Sequence, residues 1–210
     1  MMLEHTGNDS KAHARGAPSP WVARFLSLFP PGGEVLDLAC GAGRHTALLA
    51  TRGHPVLAVD RDIGQLGALA AARLVTAMAA DLEGPAGWPL GERRFAGVVV
   101  ANYLYRPLLP AIVASVAPGG LLLYETFARG NERFGRPANP DFLLQPGELL
   151  AAVAGRLVVL AYEHGQVAPP PPAVIQRIAA RCPSATDFDS PGGFLYGDGS
   201  NGDVQSADLL

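Results

Sequence analysis

Val35-Leu36-Asp37-Leu38-Ala39-Cys40-Gly41-Ala42-Gly43-Arg44-His45-Thr46 is the stretch whose reading decides the fold. Residues 34–38 read as a buried strand, 39–43 as a glycine loop, and 44–51 as a helix that the loop opens. Gly41 and Gly43 let the backbone turn tightly and approach a ligand without a Cβ in the way. In an open α/β sheet such a loop lies outside the carboxyl ends of the strands, near the switch point, where ligands bind. Two ligand classes use it. Dinucleotide enzymes set a pyrophosphate on the helix N-terminus and want a third glycine three residues on. Here Thr46 stands at that third position, and the acid Asp37 precedes the loop. An acid there repels pyrophosphate but suits a ligand bearing an ammonium or sulfonium group. A P-loop is excluded, because no Gly-Lys-Ser/Thr follows.

Working outward, strands and helices alternate. Ser19-Pro20 looks like an N-cap and a proline in the first helical turn, and Trp21, Phe25, Leu28 and Phe29 recur at helical spacing. After the loop and its helix, residues 55–60 read as a strand, 63–72 as a helix and 74–79 as a strand. A Val-rich run at 98–102 reads as a buried strand, 108–116 as a helix ended by Pro118-Gly119-Gly120, and 121–127 as the fifth strand. Such alternation implies right-handed βαβ crossovers and a parallel sheet covered on both faces. Residues 128–144 break the pattern with Gly, Asn, Pro and three arginines, a loop too long for a simple connector. Pro146 then opens a helix through about Val153, with Glu148 near its N-terminus. Two further strands, 157–162 and 174–178, flank the proline turn at 168–172. The predicted organisation is a tail at 1–17, one domain at 18–183 and a second, Gly- and Ser-rich tail at 184–210, both tails mobile.

Two more acids fall where an α/β site needs them. Asp60 closes the second strand about 20 residues after the glycines, where a carboxylate can accept hydrogen bonds from both ribose hydroxyls; Arg61 follows it. Asp81-Leu82 follows the third strand, where the acid could meet an adenine amino group and the leucine the ring face.

Residues 36–43, Asp60 and Asp81 resemble the motifs of class I S-adenosylmethionine-dependent methyltransferases, and the resemblance spans about 21–181. It implies a Rossmann-like, doubly wound α/β fold with a seven-stranded sheet, mostly parallel, its last strand inserted antiparallel. It implies S-adenosylmethionine as cofactor and S-adenosylhomocysteine as its product. The loop from Asp37 through Ala39 and Gly41 to Gly43 would hold the methionine part, Asp60 with Arg61 the ribose side, Asp81 with Leu82 the adenine, and Asn102 would close the donor site after strand four. Asn102-Tyr103-Leu104-Tyr105-Arg106-Pro107-Leu108, Tyr124-Glu125-Thr126-Phe127-Ala128-Arg129-Gly130-Asn131 and Asn139-Pro140-Asp141-Phe142-Leu143-Leu144 are similar to the narrower branch of tellurite-resistance-type and related small-molecule methyltransferases. The chain departs from the family's pattern at Phe95-Ala96-Gly97, where an acid is usual, and at Ala39-Cys40, where glycine is common.

The acceptor should sit beyond strand four. Tyr103 and Tyr105 read as a cover for the donor methyl, with Arg106 beside them. The Asn-Pro-Pro-Tyr loop of amino methyltransferases shares only its first and last residues with Asn102-Tyr103-Leu104-Tyr105. Arg129, Arg133 and Arg136 in the long loop are candidates for recognising an anionic acceptor. Cys40 reads as a small residue in a tight turn, not a nucleophile. His45, at a helix start that disfavours an imidazolium, reads as a cofactor contact or packing residue. His54 and His164 read as surface turn residues, and His5 and His13 as tail residues.

Composition narrows the function classes. A formal charge of −3, with Lys11 the only lysine, argues against a nucleic-acid partner. No apolar run approaches the ~20 residues of a membrane helix, and the start lacks a basic flank followed by an apolar stretch. Cys40 and Cys182 give neither a disulfide framework nor a zinc spacing, and suit a reducing cytoplasm. The expected function is methyl transfer from S-adenosylmethionine to a small-molecule acceptor by in-line displacement, with no catalytic base and no metal site assigned. The alternatives are a non-catalytic module that binds the cofactor or a nucleoside and acts through a partner protein, and a dinucleotide oxidoreductase, which Thr46 and Asp37 disfavour. The sequence says nothing of the oligomeric state.

Overall fold

The computed structural model describes residues 16–168 and 172–184. Most of the two expected tails, including His5 and His13, and the centre of the proline turn lie outside the described residues.

Seven strands form one sheet: β1 (Val35–Leu38), β2 (Val56–Asp60), β3 (Val75–Ala79), β4 (Phe95–Ala101), β5 (Val116–Phe127), β6 (Val158–Val167) and β7 (Ala173–Arg181). Their order is β3-β2-β1-β4-β5-β7-β6. Strands β1 to β5 are parallel, and β7 is inserted antiparallel between β5 and β6. This is the doubly wound sheet expected from the sequence. The order reverses between β1 and β4, so the crevice of an open α/β sheet falls at their carboxyl ends.

Both faces are covered because the strand residues alternate between two cores. On one side Leu36, Leu38, Val98, Val100, Leu122 and Tyr124 pack with Ile112 and Val113 of α3 (Leu109–Ala114) and with Leu149 and Val153 of α4 (Glu148–Val153). On the other, Val35, Val99, Leu121 and Leu123 pack with Trp21 and Val22 of α1 (Pro20–Phe25) and with Leu49 of α2 (Arg44–Thr51). Each fully buried Val or Leu contributes about 1.5–3 kcal/mol, which makes β4 and β5, apolar on both faces, the centre of the fold. The Ser19 hydroxyl caps α1 by accepting from Trp21 N at 3.1 Å, and the Trp21 indole donates to Ile178 O at 3.2 Å. Gly97 leaves room for the Phe29 ring, which any Cβ there would meet; that close approach accounts for a small residue in Phe95-Ala96-Gly97.

Several expected elements are corrected. The helix predicted over 63–72 is a run of 3-10 turns, Ile63–Ala71, interrupted at Gly67 (φ 54°, ψ −133°). Gly64 and Gly67 each weaken a helix by about 1 kcal/mol, and the segment instead buries Leu66 against the glycine loop. The helix predicted over 108–116 ends at Ala114, because Val116 pairs with Phe95 at the start of β5. Pro118-Gly119-Gly120 is therefore an irregularity inside β5, where Gly119 takes φ 75° and donates to Cys182 O at 2.9 Å. The fourth strand starts earlier than expected, at Phe95, and stops at Ala101. The β6–β7 hairpin runs well past the predicted 157–162 and 174–178, with ladder pairing from Val158↔Arg181 to Val167↔Ala173. His54 is not a surface residue: it covers the Phe29 ring edge-on and its Nδ1 lies 3.1 Å from Gly33 O, leaving it 5% exposed.

Candidate functional site

The glycine loop is built by three left-handed residues in turn: Ala39 (φ 54°), Gly41 (φ 53°) and Gly43 (φ 77°). Cys40 N donates to Val59 O at 3.1 Å, and Gly43 N to Cys40 O at 2.9 Å, which closes the turn into α2. The two glycines do different things. A Cβ on Gly41 would meet nothing within 4 Å, so its face opens on the crevice. A Cβ on Gly43 would lie 2.6 Å from Leu66 and 2.8 Å from Leu69. Gly43 thus serves the packing of the loop on the 63–71 segment.

Asp37 lies beneath the loop, only 1% exposed, and accepts from the Thr46 hydroxyl at 2.6 Å. Burial pushes its carboxyl up to about 6, against the opposing pull of the Thr46 hydrogen bonds. The two residues that set this loop apart from a dinucleotide loop are therefore partners, fastening α2 to β1, and Asp37 does not line the crevice. Asp60 is better placed. Its Oδ2 accepts from Gly41 N at 2.9 Å and its Oδ1 from Asp62 N at 3.0 Å. A carboxylate has roughly four acceptor positions, so both oxygens keep capacity for a ligand.

His45 is buried, and its Nε2 accepts from Ser19 N at 3.1 Å. Burial, aided by the Arg44 charge, lowers its pKa to about 4, so the ring is neutral at pH 7 and ties α2 to the cap of α1. Burial raises the Cys40 thiol, with Asp37 and Asp60 adding to the effect, so no thiolate forms there.

Two cavities flank Asn102 at the carboxyl ends of the strands. The first, about 240 Å³, is lined by the loop residues Ala39, Cys40, Gly41 and Ala42, by Arg44 and His45 of α2, and by Gly16, Ala101 and Asn102. The second, about 280 Å³, is lined by Glu83, Asn102, Tyr103, Leu104, Thr126, Phe127, Pro137 and Phe142. A larger cavity, about 400 Å³, lies at the opposite end of β4 among Trp88, Arg93, Arg94 and Ser115. It is remote from the glycine loop and plays no part in the site. Among the described residues, Ala39 and Asn102 (φ 57°) are the two non-glycines with positive φ, and both line the first cavity. Backbone strain of this kind concentrates at functional sites.

The remaining donor candidates lie at the carboxyl ends of β2 and β3. Asp60 is the last residue of β2, Arg61 follows it and Asp81 follows β3; none of the three lines either cavity, and Asp81 Oδ1 accepts from Glu83 N at 3.0 Å, turning the chain toward the second cavity. Leu82 is buried in the core instead of presenting a face to a ring. On the acceptor side, Tyr103 lines the second cavity, whereas Tyr105 packs against the core and does not.

Arg106 is engaged elsewhere. Its guanidinium forks onto Glu148 at 2.7 and 3.0 Å and donates to Asp141 O at 2.7 Å and Leu143 O at 2.9 Å. Arg129, Arg133 and Arg136 are exposed and none lines the cavity; Arg133 donates to Gly130 O at 3.1 Å and stacks on Phe134.

Residues 128–144 are tied down at their base. Arg129 N donates to Leu144 O and Leu144 N to Phe127 O, each at 3.0 Å. The buried Asn131 amide donates to Pro137 O at 3.0 Å and accepts from Val174 N at 3.1 Å. Pro137 and Phe142 from this segment form one wall of the second cavity. Sequence reasoning missed them, together with Thr126, Phe127 and Glu83. Glu83, two residues beyond Asp81, was the one with a positional signal; the others depend on how a loop without periodicity folds back.

No protein-family model matches the chain. A curated relative, the protein-L-isoaspartate O-methyltransferase of Methylorubrum populi, is 32% identical over 116 residues, which is 50% of this chain and 55% of the relative, so the chain spans about half the length of the protein it matches. Among solved structures, TehB from Haemophilus influenzae superposes with a TM-score of 0.60 at 18% identity, over 77% of this chain and 61% of that one. The 1,6-didemethyltoxoflavin-N1-methyltransferase of Burkholderia thailandensis, solved with 1,6-didemethyltoxoflavin and S-adenosylhomocysteine bound, superposes with a TM-score of 0.59 at 21% identity, over 79% of this chain and 77% of that one. Strand order, the antiparallel β7 and these superpositions agree: the chain has the class I S-adenosylmethionine-dependent methyltransferase fold.

Proposed function

We propose that the protein is an S-adenosylmethionine-dependent methyltransferase acting on a small molecule, the donor in the glycine-loop cavity and the acceptor in its neighbour. The observation that carries this reading is the shared wall at Asn102, which sets a loop-lined cavity directly beside an aromatic-lined one at the switch point of this fold. The residues present fit the donor. Gly41 presents a bare backbone face and the strained Ala39 and Asn102 line the same space, while Asp60, bonded to Gly41 N beside the cavity, keeps acceptor capacity on both oxygens. When bound, the donor supplies a methyl group on a positively charged sulfur, open to in-line displacement. The chain's part is to align and to exclude water. Tyr103, Phe127, Pro137 and Phe142 wall off the acceptor space, and its small volume favours a metabolite over a folded macromolecule. Asp37, fastened to Thr46, would act by holding the loop, not by touching the donor.

No described helix is long and apolar enough to cross a membrane. The free Cys40 and Cys182 support a cytoplasmic setting. Calorimetric titration with S-adenosylmethionine and S-adenosylhomocysteine tests the reading. Micromolar binding, about −8 kcal/mol, is expected; no heat from either ligand at ~1 mM would reject it. If the donor binds and no methyl transfer follows on a broad acceptor screen, the non-catalytic alternative gains.

A further inference from the structure

The second cavity carries a polar signature of its own. The Tyr103 hydroxyl is fully buried and has no hydrogen-bond partner among the described residues. Buried polar groups are almost always paired, and one left alone at a cavity marks a place where a ligand atom completes the set. Burial raises the Tyr103 phenol above its ordinary value, and the nearby negative charge of Glu83 raises it further, so it stays protonated. Glu83 stands at the mouth of the same cavity, held in place by its backbone bond to Asp81. The other lining residues carry no charge: Asn102 and Thr126 are polar, and Leu104, Phe127, Pro137 and Phe142 are apolar and partly flat. Among the described residues, no Arg, Lys or His lines the cavity. Arg106, the nearest cation in sequence, is spent on Glu148 and two carbonyls.

We propose that this cavity selects a small, flat, nitrogen-bearing aromatic acceptor, neutral or cationic, whose N–H is given to Glu83 and whose second polar atom meets the Tyr103 hydroxyl, and that it rejects anions. The proposal rests on reading the second cavity as the acceptor site. It reverses the anionic preference that the loop arginines suggested, because those arginines lie outside the cavity while a carboxylate lies on it. Rejection follows from like charge: an anion brought against Glu83 meets repulsion and finds no compensating cation. Flat rings are favoured because Phe127 and Phe142 offer aromatic faces and edges.

The test is calorimetry on the full chain with two probes of similar size, 2-aminobenzimidazole and indole-2-carboxylate, each titrated with and without saturating S-adenosylhomocysteine. The aminobenzimidazole is expected to bind and the carboxylate not. Glu83→Gln should weaken the aminobenzimidazole by about tenfold or more and Tyr103→Phe by roughly threefold, the range of one charged and one neutral hydrogen bond. The triple variant Arg129→Gln, Arg133→Gln, Arg136→Gln should bind it as the wild type does. Circular dichroism checks that each variant is folded; Glu83 is exposed, so its amide costs the fold nothing. Equal or tighter binding of the carboxylate, or aminobenzimidazole affinity untouched by Glu83→Gln, overturns the proposal. If S-adenosylhomocysteine binds and neither probe does, this inference fails while the donor reading stands. If S-adenosylhomocysteine does not bind, the donor reading fails, and the probe titrations without it still decide the selectivity of the cavity.

Discussion

The backbone N–H of Gly41 donates to Asp60 Oδ2 at 2.9 Å, so one carboxylate joins the glycine loop after β1 to the end of β2. Its other oxygen closes the turn onto Asp62 N at 3.0 Å. Asp60 thus shapes the loop with both carboxylate oxygens, each of which keeps acceptor capacity.

Replacing Asp60 by Ala removes both functions. Affinity for S-adenosylhomocysteine should fall by about 1.5–3 kcal/mol, the worth of hydrogen bonds to a charged group. Asp60→Asn keeps an oxygen for Gly41 and should lose less. Calorimetry on the two variants ranks them; an Asp60→Ala protein that is folded and binds like the wild type removes Asp60 from the site.

The two loop glycines should fail in different ways. Gly43→Val puts a β-branched side chain at φ 77° and drives it into Leu66 and Leu69. The left-handed backbone costs about 1–2 kcal/mol and the overpacking about 1–3 kcal/mol, so the urea midpoint should drop steeply. Gly41→Ala carries only the backbone cost, since its Cβ would meet nothing, but the methyl enters the first cavity, where the donor is proposed to bind. Its stability should fall by no more than that backbone cost, less than for Gly43→Val, while donor-product affinity falls. Reversal of that stability order would show that Gly43 has been given the wrong role.

These contrasts mark what a sequence can reveal here. The sheet was legible because Val98 to Val100 and Leu121 to Leu123 are apolar on both faces, which only a buried strand explains. The loop was legible as a strand-to-helix turn because glycines at that spacing allow it, and Asp60 ends β2 where the reading put it. Gly43, by contrast, looked like a ligand glycine, and only the leucines folded against it show a packing role. Arg106 looked like a substrate residue because its partner Glu148 lies 42 positions away, on a helix whose docking angle no local pattern encodes. The cavity wall from Pro137 and Phe142 comes from a segment without periodicity and was beyond reach for the same reason.

The fork between Arg106 and Glu148 should be a clamp on the 128–144 segment and not part of the chemistry. Arg106→Gln leaves Glu148 half-buried with its fork unmet and frees Asp141 O and Leu143 O; a loss of about 1–3 kcal/mol follows. Arg106→Lys should restore little, because an ammonium cannot serve Glu148 and two carbonyls in one plane. Denaturant unfolding reads the stability. Donor-product affinity should stay unchanged in both variants, and a large loss of it would return Arg106 to the binding site.

Asp37 and His45 should pull stability in opposite directions between about pH 4 and pH 6. The folded chain holds the Asp37 proton up to about 6, against 3.8 ordinarily, so between these values it binds more proton than the unfolded chain and stability falls as pH rises. His45 is neutral in the fold down to about 4, against 6.5 ordinarily, so the unfolded chain binds more proton there and this contribution is lost as pH falls. Protonation would also take the acceptor from Ser19 N. Each effect is at most about 3 kcal/mol, and in the wild type they largely cancel. His45→Gln should therefore lose stability, relative to wild type, as pH rises from 4 to 6, and Asp37→Asn should gain it. Urea titrations across that range decide; parallel curves for all three proteins would mean that neither group is shifted.

Hydrogen exchange should divide residues 128–144 into a fixed base and a responsive tip. The base is held by the Ala128↔Leu144 bridge, by Arg129 N on Leu144 O, and by Asn131 between Pro137 O and Val174 N. The Gln176 amide adds a bond to Gln145 O, and Arg106 holds Asp141 O and Leu143 O. Such bonds resist local opening, so the Arg129 and Leu144 amides should exchange slowly with or without ligand. At the tip it is the side chains that are weakly restrained. Phe142 is 49% exposed although it walls the cavity, and the Arg136 side chain has no ion pair or hydrogen bond among the described residues. A lid that closes over an acceptor must draw on such weakly held residues. Exchange at 134–142 should therefore slow when S-adenosylhomocysteine and a ligand of the second cavity bind together, and less when the product binds alone, because Phe142 and Pro137 border the second cavity and not the first. Uniform slowing of the whole segment by the product alone would instead make the entire loop a donor lid, and no change with either ligand would make it a fixed wall.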